Sequence, residues 1–192
     1  MITKALAGSL LVAASMSANA TTETTTTTFG VLPALTIAGV DVWAPVTTLT
    51  GAAGTVCNWI PTLLAPTATT PDVTSDVTIE RTGDGCPNIT AGTAGTTALA
   101  GSFTVVATGA INVDVQIELV QGTGGDLTFD PSGVGSPDDG SAVAVTIPTG
   151  TPTTVNLGAN AQANIYVGGT TTVGGTGIST NTAVAWDLIA TY

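Results

Sequence analysis

The chain has 192 residues, with 13 acidic side chains, two basic ones and no histidine, a formal net charge of −11. That balance excludes the clustered Lys and Arg on which phosphate and nucleic-acid binding rest. It also removes the commonest general acid or base near neutral pH, while 43% hydrophobic and 8% charged residues exclude a disordered polyelectrolyte.

Residues 1–20 read as a secretory leader. Lys4 supplies the positive start, Ala5 to Ala14 the apolar run, and Ser17-Ala18-Asn19-Ala20 the small residues of a cleavage site. The apolar run is shorter than the ~20 residues a spanning helix requires. The mature chain is therefore expected to start at Thr21, to be exported, and not to insert in a membrane. Its only basic side chain is then Arg81. So acidic a surface repels nucleic acid and anionic lipid.

Residues 21–37 read as an extended N-terminal arm and 38–192 as one folded domain. Thr21 to Thr28 (TTETTTTT) has extended propensity but nothing large to bury. Phe29, Val31, Leu35 and Ile37 then share one parity, with Pro33 among them. Such an arm can be the first strand of its own domain, or a strand added to a neighbouring subunit.

Beyond the arm, Gly and Pro punctuate short stretches rich in Val, Ile and Thr. This pattern predicts an all-β fold. Val73 to Glu80 alternates, and Ser102 to Thr108 is a second candidate strand. The clearest lies at Ile111 to Val120, with Ile111, Val113, Val115, Ile117 and Leu119 on one face. Gly109-Ala110 turns the second into the third. Further strands are expected at Ala142 to Pro148, Thr153 to Leu157, Ala161 to Val167 and Thr182 to Tyr192, with Gly158-Ala159-Asn160 a tight connection. Thr93 to Ala100 and Gly122 to Gly140 read as loops.

Cys57 and Cys86, the only cysteines, are expected to form a disulfide in an exported protein. Two thiols without histidine do not complete a zinc shell. Asp126, Asp130, Asp138 and Asp139 could bring oxygen ligands to calcium, but their spacing fits no calcium loop. Asn88-Ile89-Thr90 is a glycosylation sequon. Trp43, Trp59 and Trp186 could stack on sugar rings, which leaves a monomeric carbohydrate-binding or adhesin module as the alternative function. Paired carboxylates such as Asp114 with Glu118, or Asp138 with Asp139, could serve glycoside cleavage. No cleft-forming pattern accompanies them, and no enzyme, metal or cofactor is expected.

In the last predicted strand, Val184, Trp186, Leu188, Ala190 and Tyr192 alternate with a second row. An edge strand this apolar needs a cover. Four features come together here: the arm leading into Phe29-Gly30-Val31-Leu32, the cysteine pair, the stretch from Gly101 through Gly109 to Ile117, and Ile165-Tyr166-Val167-Gly168-Gly169-Thr170 ahead of the final strand. In these features the chain resembles bacterial pilin subunits of the donor-strand type, the chaperone–usher-like pilins and related secreted pilin-like β domains.

The resemblance implies an immunoglobulin-like β-sandwich, incomplete alone and completed by a donor strand from a neighbouring subunit. Phe29, Val31, Leu35 and Ile37 would be the donor residues. Val113, Val115, Ile117, Val184, Trp186, Leu188 and Tyr192 would line the acceptor groove and C-terminal strand. Identical subunits would polymerise head to tail into a cell-surface filament for adhesion or biofilm. A periplasmic assembly chaperone and an outer-membrane usher would assist.

Overall fold

The computed structural model describes residues 33–41, 51–64, 77–86, 101–139, 143–178 and 182–192. They form ten strands: β1 (Thr36–Asp41), β2 (Val56–Leu63), β3 (Val77–Thr82), β4 (Gly101–Val106), β5 (Asp114–Gly124), β6 (Leu127–Pro137), β7 (Val145–Ile147), β8 (Thr153–Asn156), β9 (Gln162–Val173) and β10 (Ala185–Thr191). No helix occurs among the described residues, so the fold is all-β. Of the expected strand at Val73 to Glu80, Val77 to Glu80 lie in β3, and the first residues lie outside the described set.

β9 is the spine. One of its edges pairs antiparallel with β6 over that strand's whole length, from Leu127↔Val173 to Pro137↔Ala163. Its other edge is shared end to end by β4 and β2. β1 adds to β4, and β3 adds to β2. On the far side, β6 passes the ladder to β5 at Gly122–Gly124 and to β7. β5 also carries β8 and, on its outer edge, β10. The path through the sheet runs β1-β4-β9-β6-β5-β10.

Period-two alternation builds the core. Val115, Ile117 and Leu119 of β5 are wholly buried with Ala163, Ile165 and Val167 of β9, Val105 of β4, Ile147 of β7 and Val155 of β8. Burying each large side chain of this set stabilises by about 1.5–3 kcal/mol. Tyr166, between Ile165 and Val167, faces the other way. It packs with Val134 and with Val77, Leu63 and Ile79 of the β2–β3 hairpin, which covers that second face.

The stretch Gly122 to Gly140, expected as a loop, instead holds the end of β5 and all of β6. Its composition hides the strand. Pro131 and Pro137 argue against a central position, and Gly133 and Gly135 offer nothing apolar to read. The glycine at 135 lets three core side chains close over the strand. A Cβ there would lie 3.0 Å from Val155, 3.1 Å from Ile165 and 3.3 Å from Ile147.

The expected hairpin across Gly109-Ala110 is also different. The chain does turn there, with Gly109 at φ 84° and the Ala110 amide bonded to the Ala107 carbonyl at 2.9 Å. Yet β4 and β5 do not pair; the turn carries the chain from the β9 side of the core to the β10 side. Likewise the connection at 158–160 joins β8 to β9, which lie in different ladders.

The expected disulfide is present. It links Cys57 of β2 to Cys86, just past β3, with a Cα–Cα separation of 4.7 Å. Closing a loop of 29 residues gives about 3–4 kcal/mol on a chain-entropy estimate. Replacing both cysteines by Ala is therefore expected to lower the unfolding free energy by about 3 kcal/mol, read from guanidinium denaturation of the non-reduced protein.

Candidate assembly surface

Two strands end the main path through the sheet, besides β3, β7 and β8, which branch off it and pair on one edge each. β1 pairs only with β4, and β10 only with β5, so among the described residues the outer edge of each has no partner. β10 borders the main core through Trp186, Leu188 and Ala190, and the chain entering β1 borders it through Leu35. On the side of β7 and β8, Ile147, Val155 and Leu157 are fully buried, and Val145 is partly exposed. On the side between β1 and β10, burial is incomplete. Leu35, Phe103, Trp186, Leu188 and Ala190 pack against the core but stay partly exposed. The seam between the two edges is thus a strip of unfinished core flanked by unpaired backbone.

The strip has two distinct ends. At one, the Tyr192 hydroxyl donates to the Pro33 carbonyl, which ties the end of β10 to the chain entering β1. At the other, Trp186 stands edge-on to Phe103 (centroids 5.8 Å apart, planes at 89°) and to Phe129 (6.0 Å, 65°). Such pairs add about 0.5–1.5 kcal/mol each beyond their buried area. Trp186 thereby joins the main core to a second cluster of Cys57, Trp59 and Phe129, bordered also by Val184. The start of β10 needs Gly122 on β5, because a Cβ there would collide with the Ala185 carbonyl.

Among the described residues little protects these edges. Asp187 is the one charged residue on β10, and Ile189 beside it is 42% exposed. On β1, Thr36, Ile37, Ala38 and Gly39 are all exposed, and no charge appears before Asp41. Natural edge strands usually carry charges, prolines or covers that block pairing with another chain.

The residues expected for a groove fall into two groups. Val113, Val184, Trp186 and Leu188 lie partly buried along or near the seam, and Tyr192 is 44% exposed at its end. Val115 and Ile117 are sealed in the core at 0% exposure. Phe103 and Ala190 complete the strip. Phe103 could have been found from its two-residue spacing to Val105.

Of the expected arm residues, Phe29 and Val31 lie outside the described set. Leu35 packs on the core of its own chain, and Ile37 pairs with Val105 in β4. The domain's first strand therefore takes up the end of the segment assigned to the arm.

Trp59 is 1% exposed, leaving no face for a sugar, and Trp43 and the sequon at Asn88 lie outside the described residues. Asp114 and Glu118 are four residues apart on an extended strand. That sets them about 13 Å apart at ~3.4 Å per residue, beyond the spacing of a glycosidase pair. Asp114 accepts from the Asn156 amide at 2.8 Å.

The four loop aspartates are spread along β6. Asp126 accepts from the Thr176 amide at 2.7 Å, Asp130 accepts from Gln121, and Asp138 and Asp139 follow the strand's far end. Among the described residues no three acidic or cysteine side chains gather as metal ligands.

Asp138 is 6% exposed. Burial lifts its carboxyl above the ordinary 3.8, aided by Asp139, while Asn164 and Asn160 hold it down. The fold then favours the protonated form, so this residue's contribution to stability falls as pH rises from below 3.8 through the raised value. Asp138→Asn is expected to raise the melting temperature at pH 7 and to differ little from the parent near pH 3. Calorimetry across that range checks it, and an offset independent of pH would count against it.

No helix among the described residues is long and apolar enough to cross a membrane. The chain matches no protein-family model, no curated protein and no solved structure.

Proposed function

We propose that this chain is a structural subunit of an extracellular filament. On this reading the domain is an immunoglobulin-like β-sandwich short of one strand, and the arm of a neighbouring copy fills the gap. The observation that carries the reading is the seam: two unpaired edges, β1 and β10, on one incompletely buried apolar strip. An extended segment placed there gains backbone bonds from an edge and side-chain burial from the strip, the physical mode of strand addition.

The donor is then residues 21–32, ahead of β1, with Phe29 and Val31 as anchors. Each anchor gains about 1.5–3 kcal/mol on burial, part of which offsets the ordering of the arm. Leu35 becomes part of the receiving wall rather than of the donor. The Thr run contributes extended propensity and methyl groups.

Polarity follows from the tether. Each arm leaves its own domain at Pro33, the Tyr192 end of the seam. In a head-to-tail contact it enters the next domain's seam at the opposite, Ala185 end. It therefore runs antiparallel to β10, with Phe29 and Val31 near Trp186. Such a contact is heterologous and does not close, which generates a fibre.

Identical subunits are the main partners in this reading. A seam left open before assembly calls for a temporary occupant, and a periplasmic chaperone with an outer-membrane usher is the machinery implied by the resemblance. Adhesion or biofilm is the role proposed for the fibre.

Deleting residues 21–32 is expected to leave folded, secreted monomer and no fibres by negative-stain microscopy. Fibres that persist in the deletion variant would overturn the reading.

A further inference from the structure

Arg81 is the only basic residue among those described. It stands on β3 directly opposite Trp59, and opposed residues of an antiparallel pair share a face. Trp59 is buried in the cluster that Trp186 and Val184 border, so Arg81 shares the face of the β2–β3 pair on which these residues of the Ala185 end also pack. The side chain is half-buried, and one terminal guanidinium nitrogen is buried with no hydrogen-bond partner among the described residues. The outer edge of β3 likewise has no partner among them.

A buried donor on a charged group with nothing to bond is a cost to the fold. Removing it would favour the isolated subunit. An acceptor brought by a second copy would remove that cost.

We infer that Arg81 is a binding residue of the seam, donating hydrogen bonds to main-chain carbonyl oxygens of the arm of a second copy, around Thr28 to Gly30. This inference rests on the filament reading above and adds a specific contact to it. The arm's only charged residue, Glu23, is six residues upstream of Phe29. On an antiparallel course that places it about 20 Å away, toward the Tyr192 end. Backbone carbonyls are therefore the acceptors within reach. A guanidinium, with five donors in a planar fork, suits several such oxygens at once.

The test uses the full mature chain with Arg81→Met, which keeps the apolar stem and removes the donors. Filaments of this variant are expected to release subunits in guanidinium at least about tenfold faster than the parent, the size expected for losing a charge-assisted hydrogen bond. Freshly refolded monomer at low concentration is expected to be as stable as the parent or more so. Arg81→Lys, which keeps a charged donor, should recover part of the slow release.

Parent-like release from Arg81→Met filaments would overturn the assignment. So would a loss of monomer stability large enough to account for the faster release. Both outcomes are distinguishable from failure of the filament reading, which shows instead as fibres formed without residues 21–32.

Discussion

Unpaired backbone beside a shared apolar core is the constraint on which the rest of this structure turns. β9 is paired along both edges and β6 along one whole edge, so the middle of the sheet is closed. The ladder then runs outward in two directions and stops at β1 and β10. Had these edges faced unrelated surfaces, each would be an ordinary exposed strand. Because Leu35 ahead of β1 and Trp186, Leu188 and Ala190 of β10 pack on one core and stay partly exposed there, unpaired backbone and incomplete apolar burial coincide. One extended segment would satisfy both.

Around that seam the fold is stiffened where an inserted strand would press. Trp186 contacts Phe103 and Phe129, and so couples β10 to β4 and β6 through side chains alone. The second cluster behind it includes Cys57, whose disulfide to Cys86 holds the β2–β3 hairpin over the outer face of the spine. A rigid receiving surface loses little conformational freedom on binding, which leaves more of the gross contact energy as net affinity. A polymer held as proposed would persist through slow unfolding as much as through equilibrium affinity.

Strands with large apolar residues at every second position were readable directly. β5 announces itself through Val115, Ile117 and Leu119, and β10 through Trp186, Leu188 and Ala190. The disulfide was readable from two cysteines in a chain whose first twenty residues read as a secretory leader. β6 was not readable, because a strand covered on both faces by packed neighbours can be built from Gly, Ser and Pro. Turn residues at Gly109 and at 158–160 showed that the chain reverses, but not which strand it then pairs with. That choice is made by the core, through contacts far apart in sequence. The seam itself was only half legible. Alternation looks the same in a strand paired on two edges as in one paired on a single edge, so the partial burial of Phe103 and Ala190 emerges only from the assembled fold.

The claim that β1 and β10 await a strand from another copy is tested most directly by amide hydrogen exchange, followed residue by residue before and after assembly. The account predicts fast exchange at outward-facing amides of Thr36–Asp41 and Ala185–Thr191 in the monomer. Protection should appear along at least one of these edges in the fibre, together with protection of residues 21–32. Edges already protected in a compact monomer, or equally open in both states, would contradict it.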